Sequence, residues 1–227
     1  MVLKRLLAPD FWKVSKKEYK YVIEPLPGPH PKFFCIPIAI ILRDILNFAD
    51  NIKEVKKILS EGKVKVDGRV IKEYRFPCGL YDVISLDDKK FYRIVPTKKG
   101  LELKEINEKE KDLKICKVKN KVKVATKKFQ ITLHDGKNIL TENNEIKVHD
   151  SLLIKVPEIK ILKHIKMEKG NLAVVFKGRN SGFLGKIEEI YPGDMLKDWL
   201  VKISNNEKTI LSLRDYVIAV EDSITVI

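Results

Sequence analysis

The dipeptide Asp67-Gly68 constrains the local structure of this chain more than any other pair of residues. Asp-Gly between two runs of alternating apolar and charged residues signals a two-residue hairpin closed by a type I′ turn. The turn then fixes the register: Val66 faces Arg69, Lys65 faces Val70, Val64 faces Ile71 and Lys63 faces Lys72. Side chains alternate across a strand, so Val64, Val66 and Ile71 fall on one face and Lys63, Lys65 and Lys72 on the other. Arg69 and Val70, beside the turn, escape this sorting. Upstream, Asn51 stands where an N-cap belongs, and Glu54 follows three residues later as in a capping box. Ile52, Val55, Ile58 and Leu59 recur at helical spacing, while Lys53, Lys56 and Lys57 lie off that apolar face. Glu61-Gly62 closes the helix. The prediction is a short amphipathic helix running into a hairpin, with a basic outer surface suited to gripping a phosphate backbone.

The rest of the chain is organised around this element. Residues 1–35 carry Lys4, Arg5, Lys13, Lys16, Lys17 and Lys20 interleaved with Phe11, Trp12, Tyr19 and Tyr21. Pro9, Pro25, Pro27, Pro29 and Pro31 preclude a continuous helix there and favour extended backbone. Such a segment either packs over its own domain with its charges solvated or reaches out as an RNA-contacting arm, and the aromatic interleaving favours the arm. Residues 38–48 are apolar on nearly all sides and predict a buried helix with Pro37 at its first position, packed on the apolar face of 52–59. Pro77 and Gly79 predict a turn before a strand over 83–86. Strands are expected over 91–95, 114–125, 129–133 and 151–156, with a turn at Asp135-Gly136 and a charged strand-to-helix excursion over 101–112. Five short strands, over 172–176, 186–190, 200–203, 209–213 and 216–220, suggest a small barrel. The fold class is α+β. Its expected divisions are a basic extended arm (1–35), a helix-hairpin module (36–90), a central β domain (91–166) and a terminal barrel (167–227).

Charge narrows the partner. The chain has a net charge of +14, a balance that suggests a polyanion, either nucleic acid or an anionic membrane. The membrane is disfavoured, because the longest apolar run, residues 33–42, contains Pro37 and ends at Arg43-Asp44. The N-terminus also lacks the apolar stretch of a signal peptide. The surplus concentrates between residues 91 and 166, where 19 basic side chains face 10 acidic ones; from 167 onward the counts are 8 and 9. Residues 114–128 hold seven lysines and no acid. Lys117, Lys119, Lys121 and Lys123 alternate with Val118, Asn120, Val122 and Val124, so one strand should present four ammonium groups in a row, followed by Lys127 and Lys128. A lysine-bearing sheet edge is the structural alternative; like charges in a row favour a polyanion against them.

Catalytic chemistry is not encoded. His134-Asp135 resembles a base and its orienter, but adjacent residues on a strand point to opposite faces, and the pair reads as turn chemistry. The cysteines Cys35, Cys78 and Cys116 are far apart and form no CxxC pair, so neither a disulfide framework nor a zinc site is expected. Neither a cofactor nor a small-molecule substrate is implied. Gly178, Gly182 and Gly185 could suggest a nucleotide loop, yet no GK[ST] occurs and no helix is expected after them.

Several stretches, in order, resemble the small-subunit ribosomal protein family S4e of archaea and eukaryotes. LKRLLAPDFWKV, YVIEPLPGPHPK and IPIAIILRDIL resemble its opening. NIKEVKKILSEGKVKVDGRV and YRFPCGLYDVISL resemble its S4-type RNA-binding module, and ICKVKNKVKV with ITLHDGKN its central β domain. NLAVVFKGRNSGFLGKIEEI resembles its KOW motif and LSLRDYVIAV its closing strand. The lack of a long basic C-terminal tail looks archaeal. The resemblance implies a non-enzymatic, cytoplasmic ribosomal protein that binds small-subunit ribosomal RNA. It implies an SH3-like KOW barrel whose turn uses Gly178, Asn180, Gly182 and Gly185 beside the basic Lys177 and Arg179, and neighbouring ribosomal proteins that the near-neutral barrel could meet. Two other readings remain open: a KOW-containing translation or transcription factor, and the accessory RNA-binding part of an RNA-modifying enzyme.

Overall fold

The computed structural model describes residues 3–125, 128–194 and 197–221. The fold is mixed α/β, mostly strand with few helical segments. It divides into two compact units, one made of the chain up to residue 94 together with 101–112, the other of residues 95–100 together with the chain from 113 onward.

The first unit holds most of a five-stranded sheet in the order Arg69–Val70, Val64–Val66, Val83–Leu86, Lys90–Thr97, Gly100–Ile106, of which residues 95–97 and 100 belong to the second unit. Asp67 and Gly68 have φ of 50° and 75°, as a type I′ turn requires. Val66 pairs with Arg69 and Lys65 with Val70, and the Ile71 N–H donates to the Val64 carbonyl at 3.1 Å. The ladder stops there. The carbonyl of Lys63 accepts from the Asp87 N–H instead, so Lys72 lies beyond the hairpin, not opposite Lys63. Asp67 also ties the turn to the sheet: its carboxylate accepts from the Val83 N–H at 3.2 Å and its own N–H donates to the Val83 carbonyl at 2.8 Å.

Helix Ile52–Ser60 forms as its sequence dictates. The Asn51 side chain accepts from the Glu54 N–H at 3.0 Å, satisfying a donor a helix start leaves open, and the Glu54 carboxylate reaches back to the Asp50 N–H and the Asn51 side-chain amide. Val55 and Leu59 are buried, whereas Lys53, Lys56 and Lys57 are exposed. The helix expected over 38–48 is shorter and less regular. An α turn, Ile38–Ile40, widens into a π turn, Ile41–Ile45, and Asn47, at φ 50°, ends it. Pro37 precedes the first helical residue and belongs to the strand Cys35–Pro37, which pairs with Pro77–Gly79. The expected turn at Pro77 and Gly79 is therefore a strand, and the chain reverses at Tyr81, where φ is 60°. The N–H groups of Ile38 and Ala39 find partners outside the helix, at the carbonyls of Phe76 and Tyr74.

The first 35 residues are not a detached arm. Trp12 is fully buried and its indole N–H donates to the Cys35 carbonyl at 2.7 Å. Leu3–Lys4 pairs with Tyr21–Val22, and His30 is buried against Asp82 at 3.0 Å. One large aromatic side chain offers enough apolar area to anchor a segment that has no periodic core pattern of its own.

The second unit holds two antiparallel five-stranded sheets. One runs Asn138–Thr141, Lys128–Leu133, Leu113–Ala125, Ser151–Lys155, Lys160–Ile165, over a core that includes Cys116, Val118, Ile131, Leu133, Leu152 and Ile154. The other runs Thr209–Leu213, Leu200–Ser204, Leu184–Tyr191, Leu172–Val175, Val217–Ala219, over Ala173, Val175, Ile187, Val201, Ile203 and Val217. All five strands expected in this last stretch are present. The three cysteines are free and buried, and burial, with Asp82 adding to it, pushes the Cys35 thiol up to about 12.

Candidate nucleic-acid interface

The lysine row divides in two. Along Leu113–Ala125, Val118 faces Leu133, but Asn120 faces Thr132, so Lys119 is an extra residue, a β-bulge. One inserted residue moves every later side chain to the other face. Lys121 therefore stands opposite Ile131, on the core side of the sheet, while Lys117 points away from that core. The expected row of four on one face does not form.

Lys117 is also not on the surface. It is 6% exposed, and its ammonium donates to three carbonyls, Arg214 at 2.7 Å, Asp215 at 3.0 Å and Val217 at 2.7 Å. Burial pulls its pKa down to about 7, with Asp215 opposing and Arg214 reinforcing the shift. A backbone phosphate cannot reach it. His149 lies beside the same group, 3.3 Å from Asp215, and is drawn down to about 4 by burial, then by Lys117 and Arg214. Lys114 is likewise inside, 3.1 Å from the Asp135 carboxylate, which Lys137 also approaches at 3.1 Å. Burial pushes the Asp135 carboxyl up, but Lys114, His134 and Lys137 outweigh it and hold the group well below the usual carboxylate range. The Asp135-Gly136 turn is thus real but serves as an internal counter-ion, and His134 accepts the Lys117 N–H at its Nδ1.

Beyond the bulge the strand emerges into solvent. Lys119, Lys123 and Lys128 are exposed and have no carboxylate within ion-pair distance among the described residues. Lys121 is half-buried, bound to the Asn144 carbonyl and side chain at 2.8 Å each and stacked 4.5 Å from the Phe129 ring centroid. Val122, 50% exposed, and Val124 leave the opposite face uncovered. Lys127 lies outside the described residues.

In the first unit the predicted cations also sort into free and engaged. Lys53 and Lys57 have no acidic partner among the described residues, and Lys56 lies 4.6 Å from the Tyr74 ring centroid. Arg69 and Lys72 are exposed. Lys63 is paired with Glu61 at 2.6 Å, and Lys65 holds Asp88 with both carboxylate oxygens at 2.9 and 2.6 Å. Among the N-terminal residues Arg5 is buried beside Glu18 at 3.4 Å, Lys13 pairs with Glu102 at 3.1 Å and Lys16 with Asp10. Lys4, Lys17 and Lys20 stay exposed. Periodicity separates faces, but which lysine has an acid beside it depends on loop geometry that no spacing rule reports.

The loop between Leu172–Val175 and Leu184–Tyr191 is shaped by its glycines. Gly178 and Gly182 take φ of 88° and 80°, and the Gly182 N–H closes the loop on the Val175 carbonyl at 2.8 Å. A Cβ on Gly182 would lie 2.7 Å from the Thr97 backbone, and one on Gly185 2.4 Å from the Ser204 carbonyl oxygen. Asn180 contributes its carbonyl, which accepts from the Phe183 N–H at 3.2 Å. Arg179 is exposed at the tip, and Lys177 lies 5.0 Å from the Tyr216 ring centroid. Among the described residues, no cluster of three or more His, Cys, Asp or Glu side chains is arranged to hold a metal ion, and no helix is long and apolar enough to cross a membrane.

Three family matches follow one another along the chain. Residues 2–32 match the RS4NT domain, 37–84 the S4 domain and 88–161 the ribosomal family S4e. Curated relatives named small ribosomal subunit protein eS4 align over most of both chains. That of Ignicoccus hospitalis is 41% identical, covering 95% of this chain and 89% of its own length. That of Methanocaldococcus jannaschii is 40% identical, covering 97% and 93%. The crystal structure of the 30S ribosomal protein S4e from Thermoplasma acidophilum superposes with a TM-score of 0.72 at 31% identity, covering 82% of this chain and 95% of that one. Sequence, order of domains and fold agree: the chain belongs to the ribosomal S4e family.

Proposed function

We infer that the chain is a structural constituent of the small ribosomal subunit, serving translation by stabilising ribosomal RNA rather than by catalysis. The family is one of structural ribosomal proteins, not of enzymes. The observation that carries the reading is the S4 match over 37–84, which falls on the helix and hairpin whose Lys53 and Lys57 have no acidic partner among the described residues. The mechanism is charge neutralisation along the RNA backbone with release of counter-ions, together with shape matching to A-form helices.

The cations assigned to RNA are Lys53, Lys56, Lys57, Arg69 and Lys72 in the first unit, with Lys4, Lys17 and Lys20 beside them. In the second unit they are Lys119, Lys121, Lys123 and Lys128, with Lys177 and Arg179 at the glycine loop. Arg5 and Lys117 are withdrawn, being buried; Lys13, Lys16, Lys63 and Lys65 take part only by giving up an intramolecular partner. The sheet from Leu172 to Ala219 is read as an SH3-like KOW barrel. Its near-balanced charge, 8 basic against 9 acidic residues from 167 onward, supports a neighbouring ribosomal protein as a second partner. The working divisions remain 1–35, 36–90, 91–166 and 167–227, and the location is the cytoplasmic ribosome. Sedimentation of tagged protein through a sucrose gradient tests the reading. Co-migration with small subunits is expected; recovery only in the free fractions would replace it with an off-ribosome factor.

A further inference from the structure

The first unit contains an open cleft of about 580 Å³ whose lining includes Tyr19, Lys20, Tyr21, Arg43, Tyr74 and Arg75. Its volume falls within the roughly 300–1,000 Å³ of clefts that hold small-molecule-sized groups. The rings here are not core residues that failed to bury: Tyr19 is 70% and Tyr21 49% exposed. They are held in place nonetheless. The buried Arg5 guanidinium lies 5.3 Å from the Tyr19 ring centroid, and the Arg5 N–H donates to the Lys20 carbonyl at 3.0 Å. Tyr21 is fixed by its pairing with Lys4, and the Lys20 ammonium sits 5.4 Å from its centroid.

The cleft's cations are of two kinds. Arg43 is committed to Asp44 at 2.8 Å. Arg75 donates its Nε–H to the Glu24 carbonyl at 2.7 Å and helps Lys32 hold the Glu24 carboxyl below its ordinary value. Among the described residues, its other guanidinium N–H groups make no hydrogen bond and Lys20 forms no ion pair. The one carboxylate lining the cleft, Glu24, is held by Lys32 at 2.5 Å. A site that offers a fixed, exposed ring face beside two available cations suits a flat, polarisable group attached to an anion.

We propose that this cleft receives a single unpaired nucleotide of the bound RNA. The base stacks on the face of Tyr19 that Arg5 leaves open, and Lys20 and Arg75 take the adjoining phosphate. The assignment rests on the RNA-binding reading above and adds to it a point of recognition for a nucleotide outside the helix, which lysine rows on A-form backbone cannot provide. Base stacking on an aromatic side chain is sequence-tolerant, so the cleft selects for an unpaired base and not for its identity.

The test uses the full chain and two short RNA duplexes, one continuous and one carrying a single unpaired 2-aminopurine. The wild type is expected to prefer the bulged duplex by roughly five- to a hundredfold and to quench the 2-aminopurine fluorescence. Tyr19→Ala should abolish both the preference and the quenching while leaving affinity for the continuous duplex unchanged, and Tyr19→Phe should retain them. Equal binding of the two duplexes with undiminished fluorescence would overturn the cleft assignment and leave the RNA reading standing. Binding of neither would overturn both. Free adenosine monophosphate is expected not to relieve the quenching; if it does, the ligand is a soluble nucleotide and the assignment to RNA fails.

Discussion

The two halves of the strand Leu113–Ala125 are both rich in lysine, and the fold puts them to opposite uses. Before the bulge, Lys114 and Lys117 are inside the protein, one against a carboxylate and the other within three carbonyls. After it, Lys119 and Lys123 stand in solvent with no acid near them among the described residues. Alternation assigns a side chain to a face. What covers that face is decided elsewhere: the groups that take up the Lys117 ammonium lie 97 to 100 residues away. A lysine-rich strand is therefore not one object, and its buried half contributes to stability while its exposed half is available to a polyanion.

Substitutions on either side of the bulge test this difference. Asp135→Ala should have the largest effect. It removes a buried counter-ion from Lys114, and breaking a buried pair from one side costs about 3–5 kcal/mol. Urea unfolding measures this, and a loss under about 1 kcal/mol would mean that Lys114 reaches water. Lys117→Ala should follow, at about 2–4 kcal/mol, because one buried and two part-buried carbonyls lose their donor.

A Lys117→Met variant then reads out the charge itself. A lysine whose folded pKa is about 7, against 10.5 for the free group, binds fewer protons folded than unfolded anywhere between those values. Stability contributed at this site must rise with pH across that window and stay flat below it. The wild type should gain on Lys117→Met as pH climbs from 7 toward 10.5; parallel profiles would place the amine in solvent. The smallest effect on stability, within about 0.5 kcal/mol, is expected for Lys119, Lys123 and Lys128 replaced together by alanine. Their effect falls on RNA binding, where the slope of log affinity against log salt should lessen by roughly two to three. Lys117→Met should leave that slope as it is, and a triple variant with an unchanged slope would remove the exposed half from the interface.

Several local features were legible in the sequence. The Asn51 cap, the Asp67-Gly68 turn with its register as far as Val64 opposite Ile71, and the five strands from Leu172 to Ala219 all follow from residues a few positions apart. The alternation of Lys117, Lys119, Lys121 and Lys123 with Val118, Asn120, Val122 and Val124 did not locate the bulge at Lys119, because a bulge is set by the competing registers of two neighbouring strands. Nor did the scattered prolines of the first 35 residues reveal that Trp12 would anchor them through Cys35. In the candidate site, spacing put the free lysines of helix Ile52–Ser60 on the correct face. It missed the ion pairs of Lys63 and Lys65, whose acids sit in the turns flanking the hairpin strands.

The three carbonyls around the Lys117 ammonium make a socket of the kind that coordinates an alkali cation, with the cation tethered to a strand. Sliding that strand by one residue would draw the ammonium about 3.4 Å out of its socket, so the position of residue 117 along the sheet is pinned. Any change in chain length nearby must then be absorbed on the far side of the pin, at and beyond Lys119. The strand beyond Lys119 can thus change its register without moving residue 117 or the core beneath it.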